Sequence, residues 1–165
     1  MLTLAALALT LAIEPPQAPQ TPPVGPGTYI TKDEHEATLK EQIAKNVVDQ
    51  PIKAADVLGG RAAVAMLHRE KAETSALVHD TVTETYYIVS GSGTMVTGGR
   101  LGDPKPTDLT RLNAGMSQTG TRLGGEAKKV KPGDIIIIPA GTPHSFSELD
   151  GPISYLVYRF VPSQK

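Results

Sequence analysis

His79-Asp80-Thr81-Val82-Thr83-Glu84-Thr85-Tyr86-Tyr87-Ile88-Val89-Ser90-Gly91 and Gly133-Asp134-Ile135-Ile136-Ile137-Ile138-Pro139-Ala140-Gly141-Thr142-Pro143-His144 are the two stretches on which the fold turns. In the first, a histidine ends one apolar run, a short polar turn follows, and a glutamate opens an alternating run. The turn matters, because at an odd spacing along one continuous strand His79 and Glu84 would point to opposite faces. In the second, a Gly-Asp turn launches four consecutive isoleucines, a run that reads as a strand buried on both faces. Pro139-Ala140-Gly141 then turns the chain and delivers His144 on a new strand. Two imidazoles and a carboxylate can therefore converge inside a barrel.

Around these stretches the texture is uniform. Ala62–His68, Ser75–His79, Glu84–Val89, Thr94–Thr97, Asp134–Ile138, His144–Glu148 and Ile153–Val161 are short apolar or alternating runs broken by Gly, Pro, Asn and Asp. Many short strands in series predict an all-β sandwich or barrel. Upstream, Thr31-Lys32-Asp33-Glu34 has the form of a capping box and predicts a helix from about Lys32 to Asn46. Leu39, Ile43 and Val47 recur one turn apart and form the stripe expected to lie on the barrel.

These two stretches resemble the motifs of the cupin superfamily, and the resemblance covers roughly Ala62 to Val161. The family's second motif, with its Gly, Pro-x-Gly and His, is matched at Gly133, Pro139, Gly141 and His144. Its first motif is matched at His79, Glu84 and Gly91. The resemblance implies a double-stranded β-helix, the cupin jelly-roll barrel, here with a short N-terminal helix. It also implies one divalent metal ion (Fe, Mn, Zn, Ni or Cu) held by His79, Glu84 and His144, a small-molecule ligand or substrate, and a homodimer. The chain departs from the family at two places. Leu77 stands where the first histidine of the His-x-His pair would fall, and Glu148 stands where an asparagine would follow the second-motif histidine.

Two histidines and one carboxylate leave coordination positions open, a set that suits non-haem Fe(II) and is compatible with tetrahedral zinc carrying one water. His68 is a further candidate ligand: it shares strand parity with Val64 and Met66, and its imidazole would approach the metal if that face points inward. His35, in the first turn of the predicted helix, is expected in solvent. Tyr86 shares parity with Glu84, and Phe146 with His144, so both should face the interior as pocket lining or as core. Tyr86 and Glu148 are the candidate general acid or base residues. Dioxygenase, isomerase, lyase and decarboxylase chemistry all occur among cupins, and the residues leave open both an enzyme of one of these types and a non-catalytic small-molecule-binding module. A metal-free barrel that keeps only the fold is a further alternative.

Composition narrows the classes. The 165 residues carry 16 Lys plus Arg against 17 Asp plus Glu, a net charge of -1, so no nucleic-acid partner is expected. The absence of Cys removes disulfides, thiolate metal sites and Cys nucleophiles together. The organisation expected is a signal segment and Pro-rich linker over residues 1–27, a helix and lead-in over 28–60, and the barrel over 61–165. Leu2–Ile13 has the length of a signal-peptide core and falls short of the ~20 residues that span a bilayer, so export to the periplasm or medium is expected, with no membrane span in the mature chain. Pro15, Pro16, Pro19, Pro22, Pro23 and Pro26 make the next stretch an extended tether. The span from Gly93 to Gly133, rich in Gly, Pro and Thr, reads as a solvated loop, or as a lid or extra hairpin whose Arg100, Lys105, Arg111 and Arg122 could meet an anionic substrate.

Overall fold

The computed structural model describes residues 25–163. The expected signal segment, and the tether as far as Val24, lie outside the described residues. Helix α1 (Lys32–Lys45) begins at the capping box: the Thr31 side chain accepts from the Glu34 backbone N–H at 3.2 Å, and Glu34 accepts from the Thr31 N–H at 2.8 Å. It ends at Asn46, whose left-handed backbone at φ 51° closes the last turn. The stripe expected along Leu39, Ile43 and Val47 is rotated, leaving Ile43 47% exposed while Gln42 is buried. Polar chemistry sets that rotation: the Gln42 amide donates to the carbonyls of Val48 (2.7 Å) and Met66 (2.8 Å), tying the helix to the strands beneath it.

Eleven strands follow in chain order: β1 (Asp49–Val57), β2 (Gly60–Arg69), β3 (Ala76–His79), β4 (Thr83–Ser90), β5 (Gly93–Thr97), β6 (Arg100–Leu109), β7 (Gly115–Leu123), β8 (Glu126–Val130), β9 (Ile135–Ile138), β10 (His144–Leu149) and β11 (Ile153–Pro162). They form a five-stranded sheet, β1-β2-β11-β4-β9, facing a six-stranded sheet, β6-β7-β3-β10-β5-β8. Every pairing is antiparallel. Successive strands alternate between sheets through much of the chain, the winding of a double-stranded β-helix. Between the sheets lie Ala65, Leu67, Tyr86, Ile88, Met95, Val130, Ile138, Phe146, Ile153, Tyr155 and Val157. At about 1.5–3 kcal/mol for each large apolar side chain taken from water, this cluster drives the closure of the two sheets.

The span from Gly93 to Gly133 takes the extra-hairpin form and not that of a solvated loop: after the expected strand β5 it adds β6 to β8, with a 3-10 turn at Thr110–Leu112. Its glycines and prolines disguise the strands. Pro104 and Pro106 fall in β6, the outermost strand of its sheet, where a missing N–H costs little, and a register shift separates Gly102 from Lys105. Nor is the isoleucine run buried on both faces. β9 alternates between the two faces of the five-stranded sheet, and the outer face is uncovered there, so Ile136 and Ile138 turn inward while Ile135 and Ile137 are 66% and 68% exposed. β1, within the segment read as lead-in, pairs with β2 from Gly60 to Leu67.

Candidate metal centre

His79 ends β3 and Glu84 lies near the start of β4, with the turn between them pinned by the Asp80 N–H donating to the Met116 carbonyl at 3.0 Å. His144 opens β10 after a turn in which Gly141, at φ 77°, donates its N–H to the His79 carbonyl at 2.8 Å. That bond joins the two motif turns directly. The result is one buried group: ligand atoms of His79, Glu84 and His144 all lie within 4.8 Å of one another, and each residue is at most 4% exposed.

Hydrogen bonding fixes what these side chains present. His144 Nδ1 lies 3.0 Å from the Thr142 carbonyl, which can only accept, so Nδ1 carries the proton and Nε2 keeps its lone pair. His79 Nδ1 lies 2.8 Å from Ser117 Oγ, whose own hydroxyl has the Ala114 and Gly115 carbonyls within 3.3 Å to donate to. That arrangement assigns the proton to Nδ1 of His79 as well. Both Nε2 atoms point toward Glu84 Oε2, at 3.2 Å from His79 and 3.4 Å from His144, yet neither has a hydrogen-bond partner. Two imidazole lone pairs and a carboxylate oxygen facing one another in a buried site repel unless a cation sits among them. The donor set therefore fits a divalent metal ion, with the second ring nitrogen of each histidine anchored as metal-ligating histidines require.

Glu84 is held on both oxygens. Tyr86 donates its hydroxyl to Oε2 at 3.0 Å, and Arg159 donates Nε to Oε1 at 2.8 Å. Arg159 stands directly opposite Glu84 in the β11–β4 pairing. Its remaining nitrogens donate to Asp49 (2.6 and 3.3 Å) and to the Leu112 carbonyl at 2.7 Å. Burial pushes the Glu84 carboxyl up, but hydrogen bonding and charge from its neighbours, the His144 and His79 imidazoles when protonated and Arg159 throughout, hold it well below the usual range. Burial, reinforced by the Glu84 charge, pushes the Tyr86 phenol well above its ordinary value, so Tyr86 remains a proton donor. Its ring lies edge-on to His144 at 6.1 Å and packs on Tyr155 at 4.7 Å.

The other sequence candidates lie elsewhere. His68 is on the outer face of β2: Ala65 and Leu67 take the inward positions, and its ring is hydrogen-bonded to Ser154 at 2.9 Å. Parity with Val64 and Met66 was the right rule, but that face is the outward one, with the Met66 carbonyl taken up by Gln42 of α1. Glu148 also faces outward, accepting from Thr94 at 3.0 Å near Lys129, after a bulge between Phe146 and Glu148. Phe146 is buried in the core as expected. His35 is half-buried on α1 and not part of the group. Arg122 donates to the buried Ser145 hydroxyl, whose side of β10 is opposite that of His144, while Arg100, Lys105 and Arg111 are exposed. Arg159 and Asp49 escaped the sequence reading. The available signal was a lone arginine alternating with Tyr155 and Val157 on an inward strand face.

Leu77 lies on the same face of β3 as His79 and is the register partner of His144. An apolar side chain therefore occupies the position beside the two imidazoles where a further ligand would stand.

No family model matches the chain, and no curated protein does. Solved structures match its fold. A Bacillus halodurans protein superposes with a TM-score of 0.50 at 19% identity, over 86% of each chain. A cupin superfamily protein of Desulfitobacterium hafniense gives 0.42 at 13% identity over 69% of this chain and 76% of the other. The chain has the cupin fold. The DMSP lyase DddQ of Ruegeria pomeroyi gives 0.42 at 17% identity over 65% of this chain and 41% of the lyase. The two motif turns deliver His79, Glu84 and His144 to one point inside the barrel. Among the described residues no helix is long and apolar enough to cross a membrane.

Proposed function

We propose that this cupin binds one divalent first-row metal ion through His79 Nε2, Glu84 Oε2 and His144 Nε2, and uses it as an enzyme on a small oxygenated or carboxylate-bearing molecule. The observation that carries the reading is the pair of buried imidazole nitrogens that face a carboxylate oxygen without a hydrogen-bond partner. The metal, when bound, supplies Lewis acidity or an oxygen-binding position. The protein's own residues orient it. Ser117 and the Thr142 carbonyl fix the two imidazoles, Arg159 and Tyr86 fix the carboxylate, and Tyr86 holds a proton at its hydroxyl beside the ligand oxygen. Glu148, outside the barrel, has no part in this proposal.

A second reading, a non-catalytic module that captures a small ligand on the same metal, is favoured by one feature. Tyr86 is fully engaged with Glu84, and no other described acid or base stands in the group. The two readings separate when zinc-, manganese- and iron-loaded protein is incubated with pooled small carboxylates and polyols and followed by NMR. Signals converted to new species support the enzyme. Signals broadened but unconverted support the module, and no change with any compound removes both. His144→Ala serves as the control.

We also propose that two copies pair. The outer face of the five-stranded sheet exposes Tyr87, Ile135, Ile137, Tyr158 and Phe160, a concentration of large apolar side chains that favours a partner surface. Export to the periplasm or medium is part of the same proposal, supported by the apolar run Leu2–Ile13.

A further inference from the structure

Arg159 reaches Glu84 with one edge of its guanidinium and uses the rest elsewhere. Nε donates to Glu84 Oε1, Nη2 to Asp49 Oδ2, and Nη1 to both Asp49 Oδ1 and the Leu112 carbonyl. The arginine side chain is only 3% exposed, and guanidinium is not deprotonated in proteins. It therefore cannot release Oε1 without leaving the buried Nε–H without an acceptor. Oε2, in turn, is the oxygen that both histidine nitrogens face. A free carboxylate beside a metal can offer one oxygen or both; here one oxygen is already committed to a cation of the protein.

We propose that Arg159 is the positioning residue of this centre: by engaging Glu84 Oε1 it restricts the carboxylate to one coordinating oxygen, Oε2, and so keeps an additional coordination position open for an anionic, oxygen-bearing chelator. Asp49 balances the arginine charge, which leaves the single negative charge of Glu84 to the metal. With two neutral imidazoles the loaded centre then carries one net positive charge, which attracts an anion in a low-dielectric interior. Leu77 acts in the same direction by offering no donor atom.

The inference rests on the metal-binding reading, and one experiment separates the two. Zinc-loaded full-length protein is examined by X-ray absorption, which distinguishes one-oxygen from two-oxygen carboxylate coordination by the short metal–carbon distance of the latter. Manganese-loaded protein is examined in parallel by water proton relaxation, which reports metal-bound water. The wild type is expected to show a one-oxygen carboxylate. The double variant Asp49→Asn/Arg159→Met, which removes the clamp without leaving an unpaired acid at position 49, is expected to show a two-oxygen carboxylate and the loss of one bound water. A two-oxygen carboxylate in the wild type overturns the inference whatever the variant does, so the test stands even if the variant fails to fold. Unchanged coordination in a folded variant also overturns it, while leaving metal binding intact. A wild type that takes up neither metal overturns both.

Discussion

Leu77 and His144 are direct register partners across β3 and β10, so the side chain that stands beside one imidazole of the candidate metal centre is an aliphatic one. Placing a histidine there should add a nitrogen donor on the inward face, next to His79 and His144. The Leu77→His variant is expected to bind zinc at least about tenfold more tightly, about 1.4 kcal/mol, measured by competition with a chromophoric chelator. The same variant should lose affinity for small carboxylates, because the added ligand takes a position they would use.

Glu84 carries a second, purely structural load. Glu84→Gln replaces one of the two carboxylates that pair with Arg159 while nearly preserving volume, and weakening that charge-assisted hydrogen bond costs about 1–3 kcal/mol. Urea unfolding of metal-free protein should show that loss, and a change below about 1 kcal/mol would mean that Asp49 and the Leu112 carbonyl alone satisfy the arginine.

Gln42 is the hinge between helix and barrel. Gln42→Leu takes the side-chain donor from the Met66 carbonyl and from that of Val48, which keeps the His68 N–H. A loss of about 1–3 kcal/mol is expected in the same assay, although leucine is the better helix former. A stability gain would show that helix propensity, not the two bonds, governs this contact.

At the start of α1 the Glu34 carboxyl is held below its ordinary value of 4.5, first by its hydrogen bond with Lys53 and then by the Thr31 backbone N–H. A depressed folded-state value means stability that is fully present above the unfolded value and is lost as pH falls through the folded one. Glu34→Gln should therefore lower the melting temperature at pH 7, where the stability from the Lys53 and Thr31 contacts is fully present, and flatten the decline below pH 4.5. Thr31→Ala should cost about 1 kcal/mol at every pH.

Pairing of copies through the exposed apolar face can be checked at one side chain. Ile137, 68% exposed on edge strand β9, lies beside Thr85 of β4 with Tyr158 across from it. Ile137→Lys is expected to convert a dimer to a monomer in light scattering with no loss of bound metal. A wild type that is already monomeric at high concentration would remove the pairing proposal.

What the sequence disclosed and what it hid have physical causes. The barrel and the three-residue site were legible because turn chemistry is local: Gly133, Pro139, Gly141 and Gly91 mark strand ends whatever lies around them. The strands β6 to β8 were hidden because their composition is that of turns, and edge pairing tolerates prolines that a central strand would reject. The exposure of Ile135 and Ile137 and the outward face of His68 were hidden because parity groups residues without saying which group faces in. That choice is made by the opposite sheet and by α1. Arg159 was hidden because its partners Glu84, Leu112 and Asp49 are 75, 47 and 110 residues away in the chain.

Metal content tests the central claim most directly. Protein purified without chelator or added metal, and His144→Ala prepared alongside it, would be analysed for iron, manganese, nickel, copper and zinc. The expected result is close to one metal per wild-type chain and a loss of most of it in the variant. No metal in the wild type, before or after reconstitution, would contradict the account and leave a cupin barrel whose buried histidines and glutamate serve only one another.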